Sequence, residues 1–401
     1  MSGTATTVVD AVLAAGLLLL CVPAAVLLLQ VVLSTLPAAR AAAPPAGRRP
    51  RMAVLVPAHD EAAGIAAALA TVTPQLAPGD RLLVVADNCT DETAAVAAAA
   101  GAEVVQRRDP ARRGKGYALD FGVRHLAVDP PEVVVIVDAD CSVAPDALAL
   151  LAADCAATGR PAQALYLMHA PPGAGLKTRI AAFAWVVKNH VRPLGGHRAG
   201  WPCALMGTGM AFAWPQLAGA PLASAHLVED MQLGLDLAAA GAPPRFCPQA
   251  RVSSSFPQSG AGLASQRARW EHGHIGMIAT RAPRLFVRGL VHGRPALLAM
   301  ALDLAVPPLA ALVLLLAAAT AITGLWAVAG GSAGPLALAL GALGAVVVAV
   351  MLAWSRYGRG VVSLPELFGA PLYVLAKIPL YARLFRSRQD EWVRTKRDDQ
   401  P

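Results

Sequence analysis

Two carboxylates separated by one small residue, Asp138-Ala139-Asp140, follow the apolar run from Val133 to Val137. A run built from Val and Ile suits a strand buried on both faces of a parallel sheet better than a half-exposed one. Acids at the end of such a strand must be solvated, paired or bound to a cation, because burying an ion bare costs several kcal/mol. At the carboxyl edge of a sheet, an Asp-x-Asp pair can hold a hard divalent ion while leaving positions open for phosphate oxygens. An acidic strand end that simply turns into solvent is the plainer alternative, and it is weighed against what the other polar clusters of the chain could do.

The elements that would position this pair alternate between strand and helix. Met52 to Ala58 reads as a first strand, followed by a helical segment from Glu61 to about Thr73. Arg81 to Ala86 is a second strand, closed by Asp87-Asn88-Cys89-Thr90-Asp91 and the alanine-rich helix from Glu92 to Ala100. Glu103 to Arg107 is a third, followed by a helix from Lys115 to Ala127. Such βαβα alternation predicts an α/β fold on a mostly parallel sheet, with ligands gathering at the carboxyl ends of the strands. His59-Asp60-Glu61, Asp87 and Asp138 to Asp140 all fall on such ends. Further on, Gln163 to His169 reads as a strand and Leu176 to Val191 as a helix. Gly209 to Trp214 is a strand after the glycine-rich Met206-Gly207-Thr208-Gly209, which by itself only permits a tight turn. Glu229-Asp230 opens a helix running to about Ala239, where two acids suit the helix dipole whatever else they do. Arg245 to Ser254 is extended, and Gln266-Arg267-Ala268-Arg269-Trp270 lies on a helix that continues toward Thr280.

With 56% hydrophobic and 15% charged residues over 401 positions, and a mean hydropathy of +0.51, the chain is too apolar to be wholly soluble. Residues 8–36 are long enough to cross roughly 30 Å of hydrocarbon, and their positive flank follows the run, so residues 1–36 read as a retained anchor rather than a signal peptide. Residues 37–50 form a linker, 51–285 a polar catalytic domain and 286–401 a second membrane region. In that region spans are expected over about 297–328 and 336–354. Residues 361–384, which hold Pro365, Pro371, Pro379, Glu366 and Lys377, read as an interfacial or re-entrant segment. The net charge of +8 sits beside the apolar runs, at Arg281, Arg284, Arg288 and Arg294 and again at Arg383 to Arg397, as flanks on the cytosolic side do. Nucleic acid is therefore not an expected partner. The six cysteines show no Cys-x-x-Cys spacing, so neither a disulfide framework nor a zinc site is read from them.

Five signatures stand in one order: Pro57-Ala58-His59-Asp60-Glu61, Asp87 with Asp91, Asp138-Ala139-Asp140, Glu229-Asp230, and Gln266-Arg267-Ala268-Arg269-Trp270. Arg113-Gly114-Lys115-Gly116 adds a sixth. Together they resemble the membrane-bound family 2 glycosyltransferases, the group of bacterial cellulose, hyaluronan, chitin and poly-N-acetylglucosamine synthases. The resemblance covers roughly residues 50–285. It implies a GT-A-like domain flanked by transmembrane helices at the inner (cytoplasmic) membrane, with the catalytic part in the cytosol and a UDP-sugar as donor. It also implies Glu61 and Asp87 on the nucleoside, Lys115 near the nucleotide or its phosphates, and Asp138 and Asp140 on Mg²⁺ or Mn²⁺. Asp230, beside Glu229, would be the general base, and Gln266, Arg267, Arg269 and Trp270 would hold diphosphate and acceptor. Met206-Gly207-Thr208-Gly209 resembles the segment that lines the acceptor site in these relatives, with a plain tight turn as the equal alternative. The chain departs from the family pattern at Ala86-Asp87, where many relatives carry two acids, and at His59-Asp60.

The chemistry of glycosyl transfer asks for these residue types. A departing nucleoside diphosphate develops negative charge that a cation and a bidentate arginine stabilise. A sugar hydroxyl is a poor nucleophile, so a carboxylate must take its proton as the new bond forms. The acceptor would be a growing polysaccharide or glycan, with membrane lipids around it and the need for export partner proteins left open. Transfer of a single sugar to a membrane lipid, as in ceramide glucosyltransferases, is the alternative that the few membrane helices favour, and a non-catalytic nucleotide-sugar sensor is a third. His272 and His274, two apart on a helix, point different ways and do not read as a metal pair.

Overall fold

The computed structural model describes residues 3–37, 48–224, 228–257 and 260–384, and the side chains of residues 3, 5, 260–269, 383 and 384 lie outside that description. The chain divides into two compact units, one comprising Ala38–Pro171 with Gly200–Trp270, the other Met1–Pro37 with Pro172–Ala199 and Glu271–Gln389, each within the described residues.

The first unit is built on an eight-stranded sheet: β1 (Met52–Ala58), β2 (Arg81–Asp87), β3 (Glu103–Arg107), β4 (Val133–Ile136), β5 (Ser142–Val143), β6 (Ala162–His169), β7 (Met210–Ala213) and β8 (Arg245–Ser255). Their order is β3-β2-β1-β4-β7-β6-β8-β5. The run β3-β2-β1-β4 is parallel throughout, and β6 pairs parallel with β8. β7 is inserted antiparallel between β4 and β6, and β5 pairs antiparallel with β8, so the sheet is mixed but, as expected, mostly parallel, with four of its seven pairings parallel. Nothing local in Met210–Ala213 encodes its direction, which is set by the loop that delivers it. The strands step outward from β1 through β2 to β3, and β4 then returns to the other side of β1. Ligands of open α/β sheets gather at such a reversal.

One apolar cluster explains which residues meet at that edge. Leu55, Leu83, Ile136, Met210 and Phe212 from the strands pack with Leu119, Val123 and Leu126 of the helix Lys115–Leu126 and with Leu233 and Leu237 of the helix Glu229–Ala239. Each fully buried side chain of this size stabilises the unit by about 1.5–3 kcal/mol. Because the two helices share this core, their first residues, Lys115 and Glu229, arrive at the same edge. The first helix after β1 begins at Ile65 rather than Glu61, because residues 61–64 form a turn tied to the β2 side, where the Glu61 amide donates to Thr93 Oγ1 at 2.7 Å.

In the second unit, three helices among the described residues are long and apolar enough to cross a membrane: Thr6–Thr35, Leu309–Val328 and Gly334–Gly358. Residues 297–328 do not form one span. The helix Pro295–Leu304 ends before Pro307-Pro308 and a new helix starts at Leu309, since tandem prolines remove two amide donors and push the preceding residue out of helical geometry. Residues 364–384 form three short helices, Leu364–Leu367, Ala370–Leu375 and Ile378–Leu384, each with a proline in its first turn. The segment Leu176–Arg198, expected inside the polar domain, groups with this unit instead. There Arg192 donates to Gln30 Oε1 at 2.8 Å and to Asp303 Oδ1 at 2.9 Å, and Gln30 Nε2 reaches the same Asp303 oxygen at 2.7 Å. A buried charge is thus paired and hydrogen-bonded through Nε and Nη2, which offsets its desolvation.

Candidate functional site

Four carboxylates from two places in the chain surround one ammonium. Lys115, the first residue of its helix, pairs with Asp138 and donates from Nζ to Gly207 O at 2.8 Å. Burial alone would favour the neutral amine, but the charges of Asp138, Glu229 and Asp230 outweigh it and raise the Lys115 pKa. Gly207 has φ +90°, and a methyl group placed on it would come within 3.4 Å of Asp230 Oδ2 and 3.7 Å of Lys115 Nζ, so both side chains line this glycine. Gly116 has a different constraint: a Cβ there would lie 2.4 Å from Leu222 O, because the chain leading toward Glu229 runs against the start of the Lys115 helix.

Burial raises the Glu229 pKa first and the Asp230 charge raises it further; with Lys115 opposing, it is pushed up to about 7. Asp140 is open to solvent at its surface, yet crowding by the surrounding protein, and then the Asp138 charge, raise its pKa as well. Donor atoms of Asp138, Asp140 and Cys141 lie within 4.8 Å of one another. The Cys141 thiol is held well above its ordinary value by burial and by the two acids, so it stays protonated and the carboxylate oxygens are the available hard donors.

Two residues that no spacing pattern singled out hold this arrangement. The Asp138 amide donates to Thr208 Oγ1 at 3.0 Å. Gln163, fully buried, accepts the Met206 amide at 2.8 Å and donates to Thr208 O at 2.9 Å. The glycine-rich segment before β7 is therefore a fixed part of the site.

Glu61 and Asp87 close the ends of the neighbouring strands β1 and β2, and both are buried. Asp87 is paired within the protein, since Arg107 Nη1 at the end of β3 lies 2.6 Å from its Oδ1 and each side chain is 9% exposed. Arg107 also donates to Arg112 O at 2.9 Å and stacks over Tyr117 at 5.4 Å. Asp91, at the surface, accepts the Ala62 and Thr93 amides at 3.0 Å each. The side chains of Gln266, Arg267 and Arg269 lie outside the described residues; their backbone is in the helix Gly260–Thr280, which also carries the partly buried Trp270. The following residue, Glu271, pairs with Lys377 and accepts the Tyr381 hydroxyl at 2.5 Å. His274 is a packed residue, 3.2 Å from Leu304 O, with its pKa brought down to about 3 by burial and then by Lys188 and Arg192.

The family profile described as "Glycosyltransferase like family 2" matches residues 50–273, more than half of the chain. The protein belongs to that family. It is 40% identical over 102 residues to the glucosyl-3-phosphoglycerate synthase of Mycolicibacterium paratuberculosis, a match to 24% of this chain and 29% of the relative's length. Among solved structures, it is similar to the mannosyltransferase PcManGT from Pyrobaculum calidifontis in complex with GDP-Man and Mn²⁺, at 21% identity and a TM-score of 0.52 over 88% of this chain and 99% of that one. That likeness shows the GT-A-like fold. A glucosyl-3-phosphoglycerate synthase from Mycobacterium tuberculosis, with Mn²⁺, UDP and phosphoglyceric acid, aligns at 24% identity and a TM-score of 0.37 over 56% of this chain and 78% of that one.

Two outcomes follow from this geometry. Arg107→Met leaves Asp87 buried beside no cation and should lower unfolding free energy by about 3–5 kcal/mol. In a denaturant series, the double variant with Asp87→Leu should recover most of that loss, and simple additivity would contradict the pairing. The Glu229 pKa of about 7 in the fold lies above its ordinary 4.5. The folded chain therefore binds that proton more tightly, a contribution to stability that is complete below about pH 4.5 and lost as the pH rises through about 7. Without divalent ions, the melting temperature should fall more steeply between about pH 5 and about pH 8 in the parent than in Glu229→Gln, whereas equal slopes would contradict the raised pKa.

Proposed function

We propose that this protein is an inverting glycosyltransferase that moves a sugar from a UDP-sugar donor onto a growing polysaccharide or glycan at the cytoplasmic face of the inner membrane. The observation that carries the reading is the convergence of Lys115, Asp138, Asp140, Glu229 and Asp230 on one glycine-lined edge of the sheet. Asp138 and Asp140 offer hard oxygen donors that suit Mg²⁺ or Mn²⁺, and a divalent ion held there would neutralise charge on the departing diphosphate. In the same region the Lys115 ammonium adds a fixed positive charge.

Asp230 is assigned as the base that takes the proton of the acceptor hydroxyl. Glu229 beside it gains its full charge only as the pH rises through about 7, which limits repulsion within the pair. A single displacement with such a base inverts the anomeric carbon. Glu61 and Asp87 are assigned to the nucleoside, with Arg107 fixing the Asp87 carboxylate, and Gln266, Arg267, Arg269 and Trp270 to the diphosphate and acceptor.

The chain carries three helices long and apolar enough to cross a membrane among its described residues, which favours an acceptor held at the membrane. The helix Ala282–Val291 supports membrane residence too: it exposes Phe286, Val287, Leu290 and Val291 on one flank and Arg284 and Arg288 on the next, a pattern suited to a bilayer interface. Single-sugar transfer to a membrane lipid is the second reading that these features allow.

With full-length protein in lipid, Asp230→Asn should slow UDP release by about 10²–10⁴-fold while nucleotide-sugar binding is kept. Parent-like turnover in that variant would remove Asp230 from its role. Sizing the product of the parent then separates the acceptors, since a long polymer made by the protein alone rules out single-sugar addition.

A further inference from the structure

A second group of donors lies at the ends of β1 and β2. His59, Asp60 and Cys89 bring a ring nitrogen, a carboxylate oxygen and a sulfur within 4.8 Å of one another. We propose that these three side chains form a binding site for a Zn²⁺-class cation, separate from the carboxylate cluster around Asp138 and Asp140. No Cys-x-x-Cys or His-x-x-x-His spacing announces it, because folding brings together two adjacent residues from one strand end and one from the next.

Each donor is oriented from behind. His59 Nδ1 sits 2.7 Å from Asp87 O, a carbonyl that can only accept, so the ring carries its proton on Nδ1 and presents a lone pair at Nε2. A backbone carbonyl fixing the far nitrogen is the usual outer-shell arrangement of a metal-ligating histidine. Asp60 has φ 51°, a left-handed geometry tolerated by Asp, and its Oδ1 accepts the Thr90 amide at 2.6 Å and the Asp91 amide at 3.3 Å. Oδ2 faces His59, with Nε2 at 3.8 Å, and is also 3.2 Å from the Thr90 hydroxyl, which lies equally far from Oδ1 and can stay on it when an ion binds. The Asp60 amide donates to Cys89 Sγ at 3.4 Å, which sets the sulfur beside the same carboxylate.

The spacing suits a small borderline ion. With Zn–N and Zn–O near 2.0–2.2 Å and Zn–S near 2.3 Å, tetrahedral ligands stand roughly 3.3–3.8 Å apart. The Nε2 to Oδ2 distance already matches this spacing, and the sulfur lies in the same cluster. A nitrogen, sulfur and oxygen set selects Zn²⁺ over Mg²⁺ or Mn²⁺, which prefer oxygen alone. On binding, the Zn–S bond forms as the thiol proton leaves to solvent. The thiolate and the Asp60 carboxylate then balance the two charges of the ion, and water fills the fourth position beside the part-exposed His59 ring. Asp60 precedes Glu61, and the Asp87 carbonyl holds His59, so an occupied site would stiffen the two residues assigned to the nucleoside. That consequence rests on the function proposed above, whereas ion binding does not.

Cobalt(II) is the probe. Full-length protein, stripped with a chelator and titrated with Co²⁺, should develop a thiolate-to-cobalt charge-transfer band at one ion per chain, which added Zn²⁺ abolishes. Cys89→Ser should remove the band, and His59→Gln should weaken Co²⁺ binding by at least about tenfold. Cys141→Ser and Asp140→Asn should leave both band and affinity intact, which separates this site from its neighbour. Circular dichroism checks that each variant is folded, and His59→Gln carries the test if Cys89→Ser is not. The proposal is overturned if no thiolate band forms, if the band survives Cys89→Ser, or if it is lost with Cys141→Ser.

Discussion

The site depends on the placement of one ammonium among carboxylates. Without Lys115, Asp138, Asp140, Glu229 and Asp230 would present up to four like charges in a partly buried space, an arrangement that costs several kcal/mol for each uncompensated ion. Lys115 reduces that repulsion and couples the acids that follow β4 to the acids that open the helix Glu229–Ala239. Its own position is fixed from below by Leu119, Val123 and Leu126, which bury the rest of its helix against β1, β2 and β3. Apolar packing and charge pairing are two halves of one constraint here: the core sets where the helix begins, and the charges make that beginning tolerable.

The same logic recurs on the β1 and β2 side. Asp87 is buried because the end of β2 is buried, and Arg107 compensates it from the neighbouring strand, in register as β2 and β3 pair Asp87 with Arg107. Asp60 Oδ1 and the Asp91 carboxylate accept backbone amides. Acids at the strand ends therefore divide by geometry into those that hold the edge together and those turned toward the Lys115 cluster.

Much of this was legible in the chain. A five-residue Val and Ile run before Asp138 specifies a buried strand, and the helix expected from Lys115 to Ala127 forms over Lys115–Leu126, because local periodicity decides both. The strand from Arg245 was legible for the same reason. What escaped is what long-range pairing decides. The antiparallel insertion of β7, the two-residue β5 and the Arg107–Asp87 pair each depend on a partner that no short window contains. Thr208 and Gln163 escaped because a hydroxyl or amide that satisfies a backbone group leaves no pattern in the sequence. The break at Pro307-Pro308 was readable in principle and was hidden by the apolar residues on both sides.

The central claim is that the edge formed by Asp138, Asp140 and Lys115 holds a divalent ion together with a nucleoside diphosphate. Titrating Mn²⁺ into the full-length protein, with the free ion followed by electron paramagnetic resonance, tests it directly. One site should appear whose affinity rises by at least about tenfold when UDP is present, and Asp140→Asn should abolish it. Mn²⁺ binding that survives Asp140→Asn unchanged, or that ignores UDP, would contradict the account.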